Sequence, residues 1–284
     1  MRRSLALFVL ALSAAGAVAA LLVGTAAGSS DRGQARLHRG LAYFAIACGF
    51  SHRNQDDPIV FPGQPGRSHD HTYFGNRATN ASSTPDSLRA SGRTTCRLRA
   101  DTAAYWAPTL FVNARAIEPL AVVAYYVRRT SGEVQPFPAG LKMIAGDAGA
   151  RTAQSLQVTS WSCGRRTVSS TIPACDRVGF GFRRSSLRLQ VNFPNCWDGR
   201  QLDSANHKSH MAYSSGGSCP SSHPVAVPAL SLVIYYGIAG GAGAELSSGG
   251  QFSAHADFVN SWDQRTLAAL VDRYLNGFGH RGRR

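Results

Sequence analysis

The chain has 284 residues, of which 44% are hydrophobic and 16% charged, so it can bury the core of one large or two small domains, and we expect one. The formal net charge of +14 comes almost wholly from arginine, because Lys142 and Lys208 are the only lysines. Guanidinium groups attract phosphates and uronates, although a genome rich in G and C is an alternative source of arginine. There is no Arg-rich amphipathic helix and no basic motif interleaved with aromatics, which argues against a dedicated nucleic-acid-binding module.

Residues 1–27 predict an export signal. Two arginines precede the uncharged run LALFVLALSAAGAVAALLVG, and Thr25 and Ala27 satisfy the small-x-small rule for cleavage after Ala27. The alternative is an uncleaved membrane anchor, because an apolar run of about 20 residues can span a bilayer. Residues 28–40 then predict a polar linker. Export in turn predicts a secreted or extracellular protein.

Residues 41–277 predict a single, mainly β domain, followed by a basic tail at 278–284. Short runs rich in β-branched and aromatic residues alternate with Pro/Gly turns and are not separated by helices, which favours a β-sandwich or jelly-roll-like fold with long loops. The runs are AYFAIACGF, TLFVN, LAVVAYYV, KMIAG, SLQVTSW, SLRLQVNF, ALSLVIYYG and QFSAHADF. Residues 76–95 predict a surface loop. Ser261 and Gln264 predict the capping box of a C-terminal helix that ends at Asn276-Gly277.

The cysteines predict three disulfides. An even number at long spacing, with no CxxC, suits an exported protein better than a structural zinc site. Two of the expected bridges close short loops, and the third joins the remaining pair. The expected pairs are Cys163 with Cys175, Cys196 with Cys219, and Cys48 with Cys96.

Histidines gather in two polar, turn-rich stretches. In PGRSHDH, His69 and His71 would share one face of an extended segment. Residues 192–225, NFPNCWDGRQLDSANHKSHMAYSSGGSCPSSHPV, contain His207, His210 and His223 and show little apolar periodicity, as is typical of a functional loop held on a scaffold. Imidazole suits both metal ligation and proton transfer near neutral pH. Histidines that only bond the loop backbone are the alternative.

We favour a catalytic interpretation of these stretches. His69, His71, His210 and His223 are expected to converge on one cleft with Asp203, and the loop between the cysteines at 196 and 219 is expected to form one wall. One imidazole would move a proton while Asp203 orients its partner. If the histidines hold a metal instead, the sequence leaves the identity of the ion open.

The acidic residues do not match a simple glycosidase pattern. Such an enzyme normally needs two carboxyl groups flanking the bond, and none of the three glutamates lies in a motif. The segment SAHADFVNSWD places His255 and Asp257 on one face of a strand. The aspartates that could supply a pair are Asp57, Asp70, Asp198, Asp203 and Asp257. Asp198 in WDG has the alternative role of an Asx turn.

Three aromatic residues are candidates for stacking on sugar rings. Tyr105 and Trp106 precede Pro108 in AYWAP, and Trp197 lies among polar residues in CWDG. A core tryptophan beside a strand is the alternative for AYWAP.

Several long motifs occur in an order that resembles a secreted family of actinobacteria and fungi, known as domain of unknown function nineteen ninety-six. The motifs are DPIVFPGQPGRSHDH, CRLRADTAAYWAPTL, PFPAGLKMIAGD, FPNCWDGRQLDSANHKSHMAY, CPSSHPVAVPAL and HADFVNSWD, and they cover residues 41–276. The resemblance implies export. Fungal members occur beside carbohydrate-binding modules, which implies a polysaccharide partner by association but no settled activity.

Two functions remain open on the sequence. The first is an enzyme, a hydrolase or a lyase, that acts on an extracellular or cell-wall polysaccharide through the His and Asp loops. The second is a noncatalytic cell-surface protein whose aromatics and arginines bind an anionic glycan. Neither function requires a membrane unless the signal stays uncleaved.

Overall fold

The structure is a computed structural model that describes residues 42–164, 167–175 and 186–277. The predicted signal, linker and basic tail lie outside these residues. Within them the chain forms 16 β-strands, two α-helices and one π-helical segment. None of the helices in these ranges is long and apolar enough to cross a membrane.

The prediction of a mainly β fold is confirmed. In chain order the strands are β1 (Tyr43–Cys48), β2 (Phe50–Asn54), β3 (His71–Gly75), β4 (Ala104–Pro108), β5 (Leu110–Val112), β6 (Arg115–Ala116), β7 (Ala121–Val127), β8 (Lys142–Gly146), β9 (Thr159–Ser162), β10 (Arg188–Asn192), β11 (Cys196–Trp197), β12 (Met211–Ala212), β13 (Val225–Ala226), β14 (Ala229–Tyr235), β15 (Ala244–Leu246) and β16 (His255–Val259).

Two five-stranded antiparallel sheets form the sandwich. The first has the strand order β1-β7-β14-β10-β9, and the second has the order β2-β3-β4-β16-β8. Two three-stranded sheets, β12-β11-β13 and β15-β5-β6, complete the architecture of the described residues. In the second sheet β16, the last strand in the sequence, lies between β4 and β8.

The main core lies between the two large sheets. On β7 of the first sheet, Val122 and Tyr126 belong to this core. Val123, which follows Val122 in the sequence, lies in a separate cluster on the other face of the sheet. The second sheet contributes Tyr105 and Phe258 to the same core. The hydroxyls of Tyr105 and Tyr126 lie 2.6 Å apart and connect the sheets. The period of two along each strand therefore separates a core face from an outer face.

Helix α1 (Pro85–Ser91) lies in the segment predicted to be a surface loop, so that part of the prediction is wrong. Thr84 and Ser87 form a capping box, and Pro85 occupies the first turn. Gly92 ends the helix with the left-handed φ of 58° that glycine favours. These local signals are present in the sequence, and Leu88 anchors the helix by its buried side chain.

The C-terminal helical segment is confirmed, but its first residue differs from the prediction. Helix α2 (Gln264–Leu270) continues as a π-helical segment, Val271–Asn276. The N-cap is Asp263, whose Oδ1 accepts from the backbone N–H of Thr266. Ser261 is buried and its hydroxyl donates instead to the backbone oxygen of Thr102, 2.6 Å away. Ser261 therefore ties the chain to the segment just before β4 rather than capping the helix.

All three predicted disulfides are present. Cys48 is bonded to Cys96, Cys163 to Cys175, and Cys196 to Cys219. Three disulfides are consistent with secretion, because such bonds persist mainly in oxidising compartments.

Candidate functional site

Five polar side chains meet on the outer face of the second sheet. One nitrogen from each of His69, His71 and His255 lies within 4.8 Å of the other two, and His71 shares the same spacing with carboxylate oxygens of Asp57 and Asp257. We call these five residues the His–Asp cluster. All except the half-buried His69 are buried.

The register of three strands assembles the cluster. On β3, His71 pairs with Pro108 of β4, and on β16, Asp257 pairs with Trp106 of β4. His255 is two residues before Asp257 and therefore points to the same face. Consequently β4 holds the two functional strands at a fixed separation, one on each side.

Backbone carbonyl groups orient two of the imidazoles. His71 Nδ1 lies 2.9 Å from the backbone oxygen of Asp56, and His255 Nδ1 lies 2.9 Å from that of Ser253. Because a carbonyl oxygen only accepts, each Nδ1 carries the proton and donates it. The neutral ring then presents an Nε2 lone pair, and His255 Nε2 lies 3.2 Å from His69 Nε2.

Two carboxyl groups, those of Asp57 and Asp257, lie close to the imidazoles. Asp257 Oδ2 lies 3.9 Å from His255 Nε2. Asp57 Oδ1 accepts from the backbone N–H groups of Ile59 and Val60 at 2.8 and 2.9 Å, and this turn fixes the carboxyl group.

Two atoms of the cluster lack a hydrogen-bond partner among the described residues. They are His71 Nε2 and Asp257 Oδ2, and both side chains are almost completely buried. A buried polar atom without a partner costs roughly 1–3 kcal/mol, so folded proteins seldom keep one without a functional reason. Both atoms belong to the same cluster.

Burial sets the protonation of the cluster. Burial lowers the pKa of His71 well below its ordinary value, and its neighbours His69 and His255 lower it further. The pKa of His255 is lowered to about 3, mainly by burial, and that of His69 is lowered for the same reason. Burial raises the pKa of Asp257 well above its ordinary value, and the nearby Asp57 adds to the rise. The three imidazoles are therefore neutral at pH 7 and keep free lone pairs.

A groove adjoins the cluster at β8. Gly146, which pairs with His255 in the sheet, lines a cavity of about 260 Å³ together with Gln154, Lys208 and Tyr213. Lys208 Nζ donates to the backbone oxygen of Gly146 at 2.7 Å and is close enough to lower the pKa of His255. Tyr213 is 45% exposed. The groove thus offers a cation, an amide and an aromatic ring beside the histidines.

The loop histidines predicted to converge with His69 and His71 do not join the cluster. His210 is buried, with Nδ1 at 2.9 Å from Ser204 Oγ and Nε2 at 2.7 Å from the backbone oxygen of Lys142. His223 Nε2 donates to the backbone oxygen of Ser209, 2.9 Å away. Both rings are engaged in hydrogen bonds that fix the 196–219 loop.

Asp203 is likewise engaged within that loop. Its carboxylate accepts from Lys142 Nζ at 3.1 Å and lies 2.8 Å from His207 Nδ1. Because Lys142 begins β8, these bonds hold the loop along the strand next to β16. The loop therefore lies along β8, and its histidines and Asp203 are not part of the cluster.

The aromatic predictions fail for Tyr105 and Trp106. Both side chains are 0% exposed, so neither ring can stack on a sugar. Tyr105 points into the main core, whereas Trp106 packs beside Tyr73 on the outer face, with ring centroids 5.7 Å apart. Trp197 is partly exposed, and its Nε1 donates to the backbone oxygen of Gln201 at 2.6 Å. A substrate-binding role for Trp197 stays a prediction.

The sequence indicates that His255 and Asp257 share one strand face, but it contains no local signal that places them beside His69 and His71. Asp57 was recognised only as one of several available carboxyl groups. The sequence around Asp57 indicates only a turn, because an aspartate that precedes Pro58 and an apolar run is typical of one. Tyr213 had no signal beyond its position in the HKSHMAY run.

An antiparallel β-sandwich with disulfides and a buried His–Asp cluster beside a surface groove defines the class of this protein. The chain belongs to the family described as domain of unknown function (DUF1996), whose family model matches residues 57–262. That match includes all five residues of the cluster. No curated protein and no solved structure matches the chain.

Proposed function

We propose that the protein is an extracellular enzyme that acts on polysaccharide, as a hydrolase or a lyase, with the His–Asp cluster as its reacting centre. The observation that carries the proposal is the pair of buried atoms without partners, His71 Nε2 and Asp257 Oδ2, in one cluster beside a groove. Titratable groups with displaced pKa values in a cleft are typical of reacting centres.

The groove favours a polymer with sugar hydroxyls and acidic groups. Tyr213 offers an exposed ring for stacking, Gln154 an amide oxygen that can accept from hydroxyl groups, and Lys208 a cation for a carboxylate or sulfate. The net charge of +14 draws an acidic polymer to the surface as a whole. An extended substrate in this groove would pass Gly146 of β8, the residue that pairs with His255.

Either reaction uses one side chain of the cluster as the base. In elimination, the base takes the proton α to a uronate carboxylate, a carbon–carbon double bond forms, and the glycosidic oxygen leaves and is protonated. In hydrolysis, the base takes a proton from water, whose oxygen bonds to the anomeric carbon as the glycosidic oxygen leaves with a proton. Lys208 would stabilise the negative charge of the uronate in elimination.

The test is incubation of the disulfide-bonded protein with acidic and neutral polysaccharides. Viscosity and new reducing ends report cleavage, and ultraviolet absorbance of an unsaturated uronate separates elimination from hydrolysis. We expect product from an acidic polymer, and a loss of about 100-fold to 10,000-fold in rate for His255→Ala. The control is His52→Gln, because the His52 ring is bonded to the backbone of Thr79 outside the cluster.

Three results would count against this function in different ways. Product that persists at the same rate in His255→Ala would place the reaction elsewhere. Saturable binding of the polymer without product would support the noncatalytic glycan-binding protein instead. The absence of both binding and product with every polymer tested would overturn the proposal.

A further inference from the structure

We infer that the His–Asp cluster binds one divalent transition-metal ion through the Nε2 atoms of His69, His71 and His255, with Asp257 as a carboxylate ligand. This inference deepens the proposed function, because it names the cofactor class of the same centre. The metal would polarise an oxygen of the substrate or lower the pKa of a bound water to about 7.

The imidazoles of His71 and His255 are already in the form that a metal requires. His71 and His255 each donate an Nδ1 proton to a backbone oxygen at 2.9 Å, so their Nε2 lone pairs are free. Metal-bound histidines typically donate their other ring N–H in this way, which fixes both the tautomer and the ring orientation.

The spacing of the donor atoms fits one ion. Two ligands at about 2.0–2.1 Å from a tetrahedral metal lie about 3.3 Å apart. His69 Nε2 and His255 Nε2 are 3.2 Å apart, and Asp257 Oδ2 is 3.9 Å from His255 Nε2. All three histidine donors lie within 4.8 Å of one another. Asp257 has this spacing in a separate group with His71 and Asp57, so side chains would have to shift for all four donors to reach one ion.

A structural explanation accounts for only part of this arrangement. A neutral His69 could donate from Nε2 to His255 Nε2 and satisfy both rings. That hydrogen bond leaves His71 Nε2 and Asp257 Oδ2 without partners among the described residues. A cation between them would satisfy both atoms at once, and a divalent charge would balance the carboxylates of Asp257 and Asp57.

The donor set also indicates which ion binds. Imidazole nitrogens favour zinc, copper, iron or nickel, whereas calcium and magnesium prefer oxygen ligands. The half-buried His69 gives the ion a route from solvent. The second group with metal-like spacing, Cys48, Cys96 and Asp101, has both sulfurs committed to a disulfide.

The test is calorimetric titration of tag-free, chelator-stripped protein with ZnCl₂, and with CaCl₂ as the matched control ion. We expect one zinc per chain, no comparable calcium binding, and a rise in melting temperature with zinc. His69→Gln should weaken zinc binding by at least about tenfold, because it removes one ligand from the partly exposed side and leaves the buried strands unchanged. His52→Gln should bind zinc like the unaltered protein.

Asp257→Asn provides a second test if a histidine variant does not fold. It keeps the shape of the side chain, and zinc affinity should fall while circular dichroism stays unchanged. The inference is overturned if zinc does not bind in a saturable way, or if both variants bind it as tightly as the unaltered protein. Zinc binding without polymer cleavage would sustain the metal site and not the proposed enzyme. Polymer cleavage by metal-free protein would support the proposed enzyme but not a role for the metal in it.

Discussion

His69 Nε2 lies 3.2 Å from His255 Nε2, although 186 positions separate the two residues in the sequence. Their rings meet edge to face, with centroids 5.0 Å apart. The contact links the loop before β3 to the start of β16 across β4. A disturbance of either strand is therefore transmitted to the cluster.

Gly146→Ala should destabilise the protein and weaken the cluster. The φ of Gly146 is +84°, and a Cβ there would clash with the backbone oxygen of Ala254 and lie 2.9 Å from His255 Cα. The matched control is Gly250→Ala, whose φ is +81° with nothing within 4 Å of the added Cβ. We expect about 1–3 kcal/mol of backbone strain in both variants and a larger loss in Gly146→Ala, measured by denaturant unfolding. Equal losses of unfolding free energy in the two variants would show that the added Cβ at position 146 does not displace β16.

Asp101→Asn should flatten the dependence of stability on pH. Burial raises the pKa of Asp101 to about 8, whereas an unfolded aspartate titrates near about 3.9. Between these values the folded state binds more protons at Asp101 than the unfolded state does. The contribution of Asp101 to stability is therefore largest at low pH and falls as the pH rises towards 8, by at most about 1.4 kcal/mol per pH unit. Asparagine cannot ionise and keeps an acceptor for the Tyr105 hydroxyl.

The measurement for Asp101 is the melting temperature of both proteins from pH 5 to pH 8. The difference between the two curves isolates this group, because every other titrating side chain is common to both proteins. Parallel curves would contradict the prediction.

Removal of the disulfides should reduce stability according to loop length. The bridges Cys48–Cys96, Cys196–Cys219 and Cys163–Cys175 span 48, 23 and 12 positions. In the chain-entropy model, paired replacement by alanine costs about 4 kcal/mol for the longest loop and about 3 kcal/mol for each of the others. Free energies of unfolding from denaturant titration give the order. If the 12-position bridge proved the most costly, native-state packing rather than loop entropy would dominate.

Tyr213→Ala should raise KM for the polymer with a smaller effect on kcat, since the ring borders the groove and is outside the cluster. Tyr213→Phe is the matched control, because it keeps the ring and removes only the hydroxyl that donates to the backbone oxygen of Asn192 at 2.8 Å. Steady-state kinetics on the cleaved polymer separate the two parameters. A fall in kcat with unchanged KM would contradict a substrate-binding role.

The fold was largely predictable because local patterns carry it. KMIAG forms β8 at Lys142–Gly146 as expected, and LAVVAYYV contains β7, whose alternate residues face two different clusters. The predicted start of α2 differs from the observed one because Ser261 and Asp263 both suit an N-cap, and the buried contact of Ser261 with Thr102 decides between them. That contact depends on tertiary structure.

The site was predictable only in its pieces. The His-x-His spacing correctly brings the His69 and His71 rings together, with centroids 4.2 Å apart. Which third histidine joins them depends on the insertion of β16 beside β4, a pairing between distant segments with no local signal. His210 seemed equivalent by composition, but its ring nitrogens are engaged by Ser204 and Lys142.

The position of β16 inside the second sheet has a consequence for biogenesis. A ribosome delivers β8 more than 100 residues before β16, so β8 has no sheet partner until the last strand arrives. Before that point β4 and β8 expose unpaired edges, and the second sheet stays incomplete until residues 255–259 have been made. The imidazoles of His69 and His71 can meet that of His255 only after β16 has been synthesised, so the complete cluster cannot form on a nascent chain that stops short of it.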